Sequence, residues 1–142
     1  MKYIYYPMVF IMTLLSCQTS QVTSPESFPG QQIIISEGGG FSGQTTQYIL
    51  LDNGQVFIKT VFPESIKEID HLDKKSSREI FNRLDLLNIK DIKFLHPGNM
   101  TYLLATRVGE DYYEIKWGDP AYQVPAEVLD YYQFIRAQVT SK

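Results

Sequence analysis

The sequence predicts an α+β fold in which an antiparallel sheet of about five strands carries two helices on one face. Short runs of β-branched and aromatic residues come in pairs joined by turn residues, which is typical of β-hairpins. Two other segments space their apolar residues by three and four, as amphipathic helices do. The resulting order is β-β-β-α-β-β-α. Such an order assembles most simply as an antiparallel sheet covered on one side by helices.

The first three predicted strands lie between residues 32 and 61. Gln32 to Ser36 is a β-branched run, and a glycine-rich stretch, Gly38–Gly43, interrupts it. Residues 45–51 and 55–61 then flank Asn53-Gly54. Asn-Gly between two strand-like runs is a strong hairpin signal because the central positions of the tight turn take positive φ. Residues 45–61 are therefore expected to form a hairpin.

The first helix is predicted from a capping signal. Residues 63–73 are polar and are expected to form a surface loop. Ser76 followed by Glu79 fits a capping box with Ser76 as the N-cap, and Asn88 can end the helix in a left-handed conformation. The expected buried positions of this helix are Ile80, Phe81, Leu84 and Leu87.

A second hairpin and a final helix complete the predicted fold. Residues 101–108 and 112–117 are expected to pair around a turn at 109–111. In the return strand, Tyr113, Ile115 and Trp117 are expected on the packed face. Pro125 opens the last helix at its tolerant first turn. The expected buried stripe of this helix is Val128, Leu129, Tyr132, Ile135 and Val139.

The N-terminus looks like a secretory signal. Lys2 precedes an apolar stretch that is too short to span a bilayer. The stretch ends in Leu14-Leu15-Ser16-Cys17, which resembles the lipobox of bacterial lipoproteins. Acylation would also explain the single cysteine of the chain. The alternatives are a plain signal peptide with an incidental cysteine and an N-terminal anchor helix.

The lipoprotein resemblance implies a division of the chain. Residues 1–16 would be a signal peptide, and Cys17 would carry palmitate-type acyl chains as a covalent membrane anchor. Residues 17–30, rich in Gln, Thr, Ser and Pro, are expected to be a flexible tether to one globular domain at residues 31–142. Gln18 after the cysteine resembles a signal for delivery to the outer membrane, so the expected location is the cell envelope.

The composition and charge of the chain limit the classes of partner that are expected. Without residues 1–16 the chain has 12 Lys and Arg against 16 Asp and Glu, a net charge of −4. Nucleic-acid binding is not expected of such a mildly acidic chain. With one cysteine no internal disulfide can form, so core burial must hold the fold. The partner is expected to be another protein of the envelope.

The candidate partner-binding residues are Gly38, Gly39, Gly40, Phe41, Ser42 and Gly43. A glycine run marks a tight or exposed backbone. It could be a loop that presents Phe41 as an apolar anchor to a partner. It could instead be a backbone nest for an anion, or only a long hairpin loop or a bulged strand.

No catalytic motif stands out, and a non-enzymatic protein without a cofactor is expected. His71 and His96 are the only histidines. Asp70 to Asp73 could supply metal ligands around His71, but no second His or Cys lies at ligand spacing. Neither a metal nor a catalytic site is therefore predicted.

The run from Ile33 to Gly43, together with the element order, resembles emfourin-type proteins, small inhibitors of thermolysin-like metallopeptidases. The resemblance implies that the Gly38–Gly43 loop is the inhibitory element. The expected function is a membrane-anchored, non-catalytic binding module of the inhibitor type. The alternative is a structural or assembly accessory of an outer-membrane complex.

Overall fold

The structure is a computed structural model that describes residues 24–140. It contains one six-stranded antiparallel sheet and two α-helices. The elements are β1 (Gln31–Gly39), β2 (Thr45–Leu51), β3 (Gln55–Thr60), β4 (Ser65–His71), α1 (Lys74–Leu87), β5 (Met100–Val108), β6 (Asp111–Trp117) and α2 (Ala126–Thr140). The strand order across the sheet is β4-β3-β2-β1-β5-β6. The predicted α+β class is confirmed, with one strand more than expected.

Both helices pack on one face of the sheet. The helices contribute Ile80, Phe81, Leu84, Val128, Tyr131, Tyr132, Ile135 and Val139 to the main core. These side chains meet Ile33 and Ile35 of β1, together with Ile115 and Trp117 of β6. The predicted buried residues of α2 are confirmed with one exception. Leu129 is only half-buried, and Tyr131, which was not predicted, is buried.

The opposite face of the sheet carries a second apolar cluster. It consists of Ile34, Ile49, Leu51, Phe57, Leu103 and Ala105. The successive residues Ile33, Ile34 and Ile35 are all buried, as a central strand requires when both of its faces are covered. Within residues 24–140, strand β1 is therefore an interior strand that is covered on both faces.

An N-terminal segment lies on this second cluster. Residues Pro25–Ser27 form one turn of 3₁₀ helix, Pro25 is buried, and Phe28 packs on the apolar cluster. The Gln32 side-chain amide donates hydrogen bonds to the carbonyl oxygens of Pro25 (2.7 Å) and Phe28 (3.4 Å). Residues 25–28, which fall within the expected 17–30 tether, are thus packed on the sheet.

Strand β4 replaces the expected loop at residues 63–73. It is an edge strand, mostly exposed, and a bulge between Val56 and Phe57 shifts its register against β3. Ile66 and Ile69 are each 40% exposed, and neither belongs to either apolar cluster. Its formation depends on backbone pairing with β3 rather than on core packing.

Strand β6 lies at the other edge of the sheet, where a connecting segment runs beside it. The Lys116 N–H donates to the Phe94 carbonyl and the His96 N–H donates to the Lys116 carbonyl, both at 2.9 Å. Leu95 consequently forms a parallel bridge with Lys116. The backbone of β6 is thereby paired on both sides at this point.

The ends of α1 differ in how well the sequence predicted them. Asp73, and not Ser76, is the N-cap: its carboxylate accepts from the N–H groups of Lys75 and Ser76. Asp73 lies one residue before the helix and places an oxygen at the free N–H groups, whereas Ser76 is already inside the first turn. Asn88 ends the helix at φ 49°, as predicted.

Both predicted hairpins form. In the first, the Gly54 N–H bonds the Leu51 carbonyl at 2.9 Å, and Gly54 takes φ 97°. Asn88 is the one non-glycine residue of 24–140 with positive φ, so Asn53 keeps a negative φ. The loop is therefore a three-residue turn closed by glycine, rather than a two-residue Asn-Gly turn.

In the second hairpin, Ile115 and Trp117 are buried on the helix side as expected, while Tyr113 is 41% exposed.

Among residues 24–140, neither helix has the length and apolar character needed to cross a membrane.

Candidate functional site

The glycine-rich stretch divides into a strand end and a short loop. Gly38 and Gly39 belong to β1, where Gly38 pairs with Thr45 on one side and Thr101 on the other. The loop itself is residues 40–44, which we call the tip loop. The expected six-residue loop is thus shorter, because the ladder of β1 continues through two of its glycines.

Close backbone packing explains these two glycines. A Cβ atom at Gly38 would lie 2.3 Å from the Thr45 Oγ1, and one at Gly39 would lie 2.2 Å from the Asn99 carbonyl oxygen. Side chains do not fit at such distances. Gly38 and Gly39 are therefore required by the packing of β1 between its two neighbours.

The tip loop is held by backbone hydrogen bonds. The Gly40 N–H donates to the Asn99 carbonyl at 2.8 Å, and the Gly39 N–H donates to the Gln44 carbonyl at 3.1 Å. Within the loop, the Gly43 N–H donates to the Gly40 carbonyl at 3.3 Å. The backbone of the loop is consequently fixed at both ends and across its middle.

Phe41 stands at the tip of this loop and projects into solvent. Its relative accessibility is 111%, the highest among the exposed large hydrophobic side chains of residues 24–140. Burying a phenylalanine is worth about 1.5–3 kcal/mol, so a fully exposed one leaves that free energy unused. Of the predicted site residues, Phe41 and Ser42 are thus presented outward, while the glycines shape and hold the backbone.

A second exposed aromatic side chain lies at the same end of the sheet. Residues 61–64 connect β3 to β4, and Phe62 in this connection is 72% exposed. The Val61 N–H donates to the Thr45 carbonyl at 3.3 Å, which joins this connection to the end of the tip loop. The end of the sheet therefore presents two aromatic side chains on neighbouring loops.

Beside the tip loop, on the sheet face opposite the helices, lies an open depression of about 430 Å³, which we call the polar trough. Gly38 and Gly39 line it without side chains. Its polar lining includes Ser36, Thr45, Gln47, Asn99, Glu114 and Lys116. The sequence did not predict this group of residues, because they are brought together only by the register of four strands.

The charges in the trough are paired with each other. The Lys116 Nζ lies 2.8 Å from the Glu114 Oε1, and the Tyr112 hydroxyl donates to the Glu114 Oε2 at 3.1 Å. Partial burial, followed by the negative charge of Glu114, raises the pKa of Tyr112 to about 12. Tyr112 is therefore a neutral donor at physiological pH.

The remaining residues singled out from the sequence lie elsewhere. Asp73 caps α1, and the ring of His96 stacks on Tyr122 with centroids 3.7 Å apart. Within residues 24–140, no three His, Cys, Asp or Glu side chains are grouped so as to hold a metal ion. The predicted signal peptide and lipidation site at Cys17 lie outside the described residues.

No protein-family model matches the chain, and no curated protein sequence matches it.

Proposed function

We propose that this chain is a non-catalytic protein-binding module of the bacterial cell envelope, anchored through a lipid on Cys17. Its recognition element is the tip loop with Gly38 and Gly39 as support. The observation that carries this proposal is the full exposure of Phe41 on a loop whose backbone is hydrogen-bonded on both sides.

The physical argument concerns the cost of binding. Ordering a mobile loop in a complex lowers affinity, and a loop already held in place avoids much of that cost. The bonds from Gly40 to Asn99 and from Gly39 to Gln44 supply this order before a partner arrives. An aromatic anchor on such a loop is suited to a concave, apolar pocket of the partner.

The inhibitor type of module agrees best with this geometry. A narrow loop with one projecting side chain enters a cleft, whereas a flat surface does not. The resemblance of Ile33 to Gly43 to emfourin-type inhibitors adds a partner class, the thermolysin-like metallopeptidases. In this proposal the tip loop blocks the peptidase cleft and the lipid keeps the inhibitor at the membrane.

A second candidate function is an assembly accessory of an outer-membrane complex. Phe62 favours it, because a second exposed aromatic on the neighbouring loop widens the apolar contact area. In that case Phe41 and Phe62 would act together on one large partner.

Inhibition measurements on the full chain distinguish the two candidate functions. Inhibition of a purified thermolysin-like metallopeptidase is measured for the wild type and for Phe41→Ala, Phe62→Ala and Leu86→Ala. Leu86 is the matched control, since it is 87% exposed but lies on α1. We expect Phe41→Ala alone to weaken inhibition, by about 10- to 100-fold, as the loss of one buried phenylalanine implies.

A photo-crosslinking amino acid placed at 41, 62 or 86 in cells identifies the alternative. Crosslinks from both 41 and 62 to one outer-membrane assembly, without peptidase inhibition, would favour the accessory function. Partner crosslinks from position 86 but not from position 41 would show that the chosen site is wrong.

A further inference from the structure

We propose that the polar trough is a binding site for a neutral oligosaccharide. This site is separate from the protein-binding role of the tip loop, although the two are adjacent. Four side chains around the trough, Ser36, Thr45, Gln47 and Asn99, supply its hydrogen-bonding groups.

Ser36 is the strongest single indication of a ligand. The residue is only 7% exposed, and yet within residues 24–140 no group forms a hydrogen bond with its hydroxyl. Every fully buried side-chain nitrogen or oxygen of residues 24–140 has a partner, so the unbonded Ser36 hydroxyl is one that solvent reaches from the trough. Ser36 lies on the trough side of β1, so its hydroxyl is available to a molecule that enters the trough.

Three further polar side chains around the trough are more exposed than Ser36 and also lack a partner among the described residues. Within the described part of the chain, the side chains of Thr45, Gln47 and Asn99 form no hydrogen bond with any group. By contrast, Thr101 donates its hydroxyl proton to the Gly98 carbonyl at 2.9 Å. Each primary amide offers two donors and one acceptor, and each hydroxyl offers one donor and an acceptor. The trough therefore combines unused donors with unused acceptors.

The charge of the trough selects the ligand class. Lys116 and Glu114 neutralise each other at 2.8 Å, and the pair is only part-buried. An anionic ligand would have to compete with Glu114 for the lysine, and a cationic one with Lys116 for the carboxylate. An uncharged ligand that both donates and accepts hydrogen bonds meets no such competition.

Two other uncharged ligands fit less well. An extended peptide usually binds by adding to a strand edge, but β1 is paired on both sides, with β2 and β5, so the trough offers no free edge. A lipid or other apolar molecule would cover the hydroxyl and amide groups of Ser36, Thr45 and Gln47 without hydrogen-bonding to them, which is unfavourable. A saccharide presents hydroxyl groups around a compact ring, and the volume of about 430 Å³ lies within the range of ligand sites.

The test is calorimetric titration of the full chain with tetra-N-acetylchitotetraose, maltotetraose and the anionic tetragalacturonate. We expect at least one neutral tetrasaccharide to bind and tetragalacturonate to bind more weakly. Gln47→Ala and Asn99→Ala should each weaken binding by about two- to twelvefold, the loss of one neutral hydrogen bond. The matched controls Gln133→Ala and Asn82→Ala, exposed on α2 and α1, should bind like the wild type.

The titrations can either support or overturn the saccharide site. Unchanged melting temperatures of Gln47→Ala and Asn99→Ala will show that weaker binding is not a folding defect. Absence of binding of both neutral tetrasaccharides at millimolar concentration overturns the proposal. Tighter binding of tetragalacturonate, or saccharide binding that Gln47→Ala and Asn99→Ala leave intact, overturns it as well. The protein-binding proposal is tested separately by Phe41→Ala. This variant should bind saccharide like the wild type, so the failure of one proposal does not imply the failure of the other.

Discussion

The backbone of Gly39 lies so close to Asn99 that a Cβ atom at Gly39 would be 2.2 Å from the Asn99 carbonyl oxygen. The same oxygen accepts the hydrogen bond of the Gly40 N–H at 2.8 Å. The tip loop is thus joined to the segment that enters β5, which is distant in sequence. The stability of the site and that of the sheet are coupled through this contact.

Gly39→Ala should therefore destabilise the protein by about 2–4 kcal/mol. The new side chain would be strained at φ 108° and would also collide with the backbone of Asn99. Gly43→Ala is the matched control, since its φ is 61° and nothing lies within 4 Å of a Cβ there. It should cost about 1–2 kcal/mol. Urea unfolding monitored by circular dichroism measures both, and equal losses would contradict the contact.

Asp73→Ala should lower the urea midpoint more than Ser76→Ala. The Asp73 carboxylate caps two N–H groups of α1, whereas the Ser76 hydroxyl only donates to that carboxylate at 2.7 Å. This hydrogen bond, followed by the bonds from the Ser76 and Lys75 N–H groups, lowers the pKa of Asp73. The stabilisation is thus present above the unfolded-state pKa and is lost as the pH falls through the lower folded-state pKa. A larger effect of Ser76→Ala would restore Ser76 as the cap.

Phe28→Ala should destabilise the protein by about 1–3 kcal/mol, while Phe41→Ala should change its stability by less than about 0.5 kcal/mol. Phe28 is partly buried against the second apolar cluster, and truncating it uncovers that cluster. Phe41 is fully exposed and contributes no burial. Thermal and urea unfolding of the two variants measure the difference. Similar stabilities would mean that the N-terminal segment is not packed on the sheet.

The protein should lose stability above pH 10, in part through Tyr132. Burial, followed by the nearby charge of Glu37, raises the pKa of Tyr132 to about 12. Its stabilisation is complete below the unfolded-state pKa of about 10 and is lost as the pH rises toward 12. Near pH 11.5 the loss from this group is about 2 kcal/mol. Tyr132→Phe should show a shallower decline of the unfolding free energy between pH 9 and 11.5, and an unchanged decline would exclude this role.

Most of the fold could be predicted from the sequence, because the buried residues of most helices and strands recur at the regular spacing of that element. The Ile80 to Leu84 stripe, the Ile115 and Trp117 alternation and the turn at Gly54 each carry their own local signal. Strand β4 carries no such signal. Its two isoleucines, Ile66 and Ile69, are three residues apart, whereas residues on one face of a regular strand are two apart; the bulge accommodates the extra residue.

The candidate site was predictable only in part, for a similar reason. The glycine run is visible in the sequence, but the contacts of Gly38 with Thr45 and of Gly39 with Asn99 depend on strand register. The polar trough depends on register entirely. Ser36 and Gln47 are ordinary polar residues until pairing places them side by side on one face.

The two edges of the sheet bear on how copies of the protein behave when they are concentrated. Free strand edges invite pairing with another chain and the growth of intermolecular sheets. Here the register of β4 is interrupted by its bulge, and β6 is paired with the segment around Leu95. Strand addition is therefore hindered at the bulge beside β4 and at Lys116 of β6. When many copies of the domain lie close together, edge-to-edge pairing is thus opposed at one point on each side of the sheet.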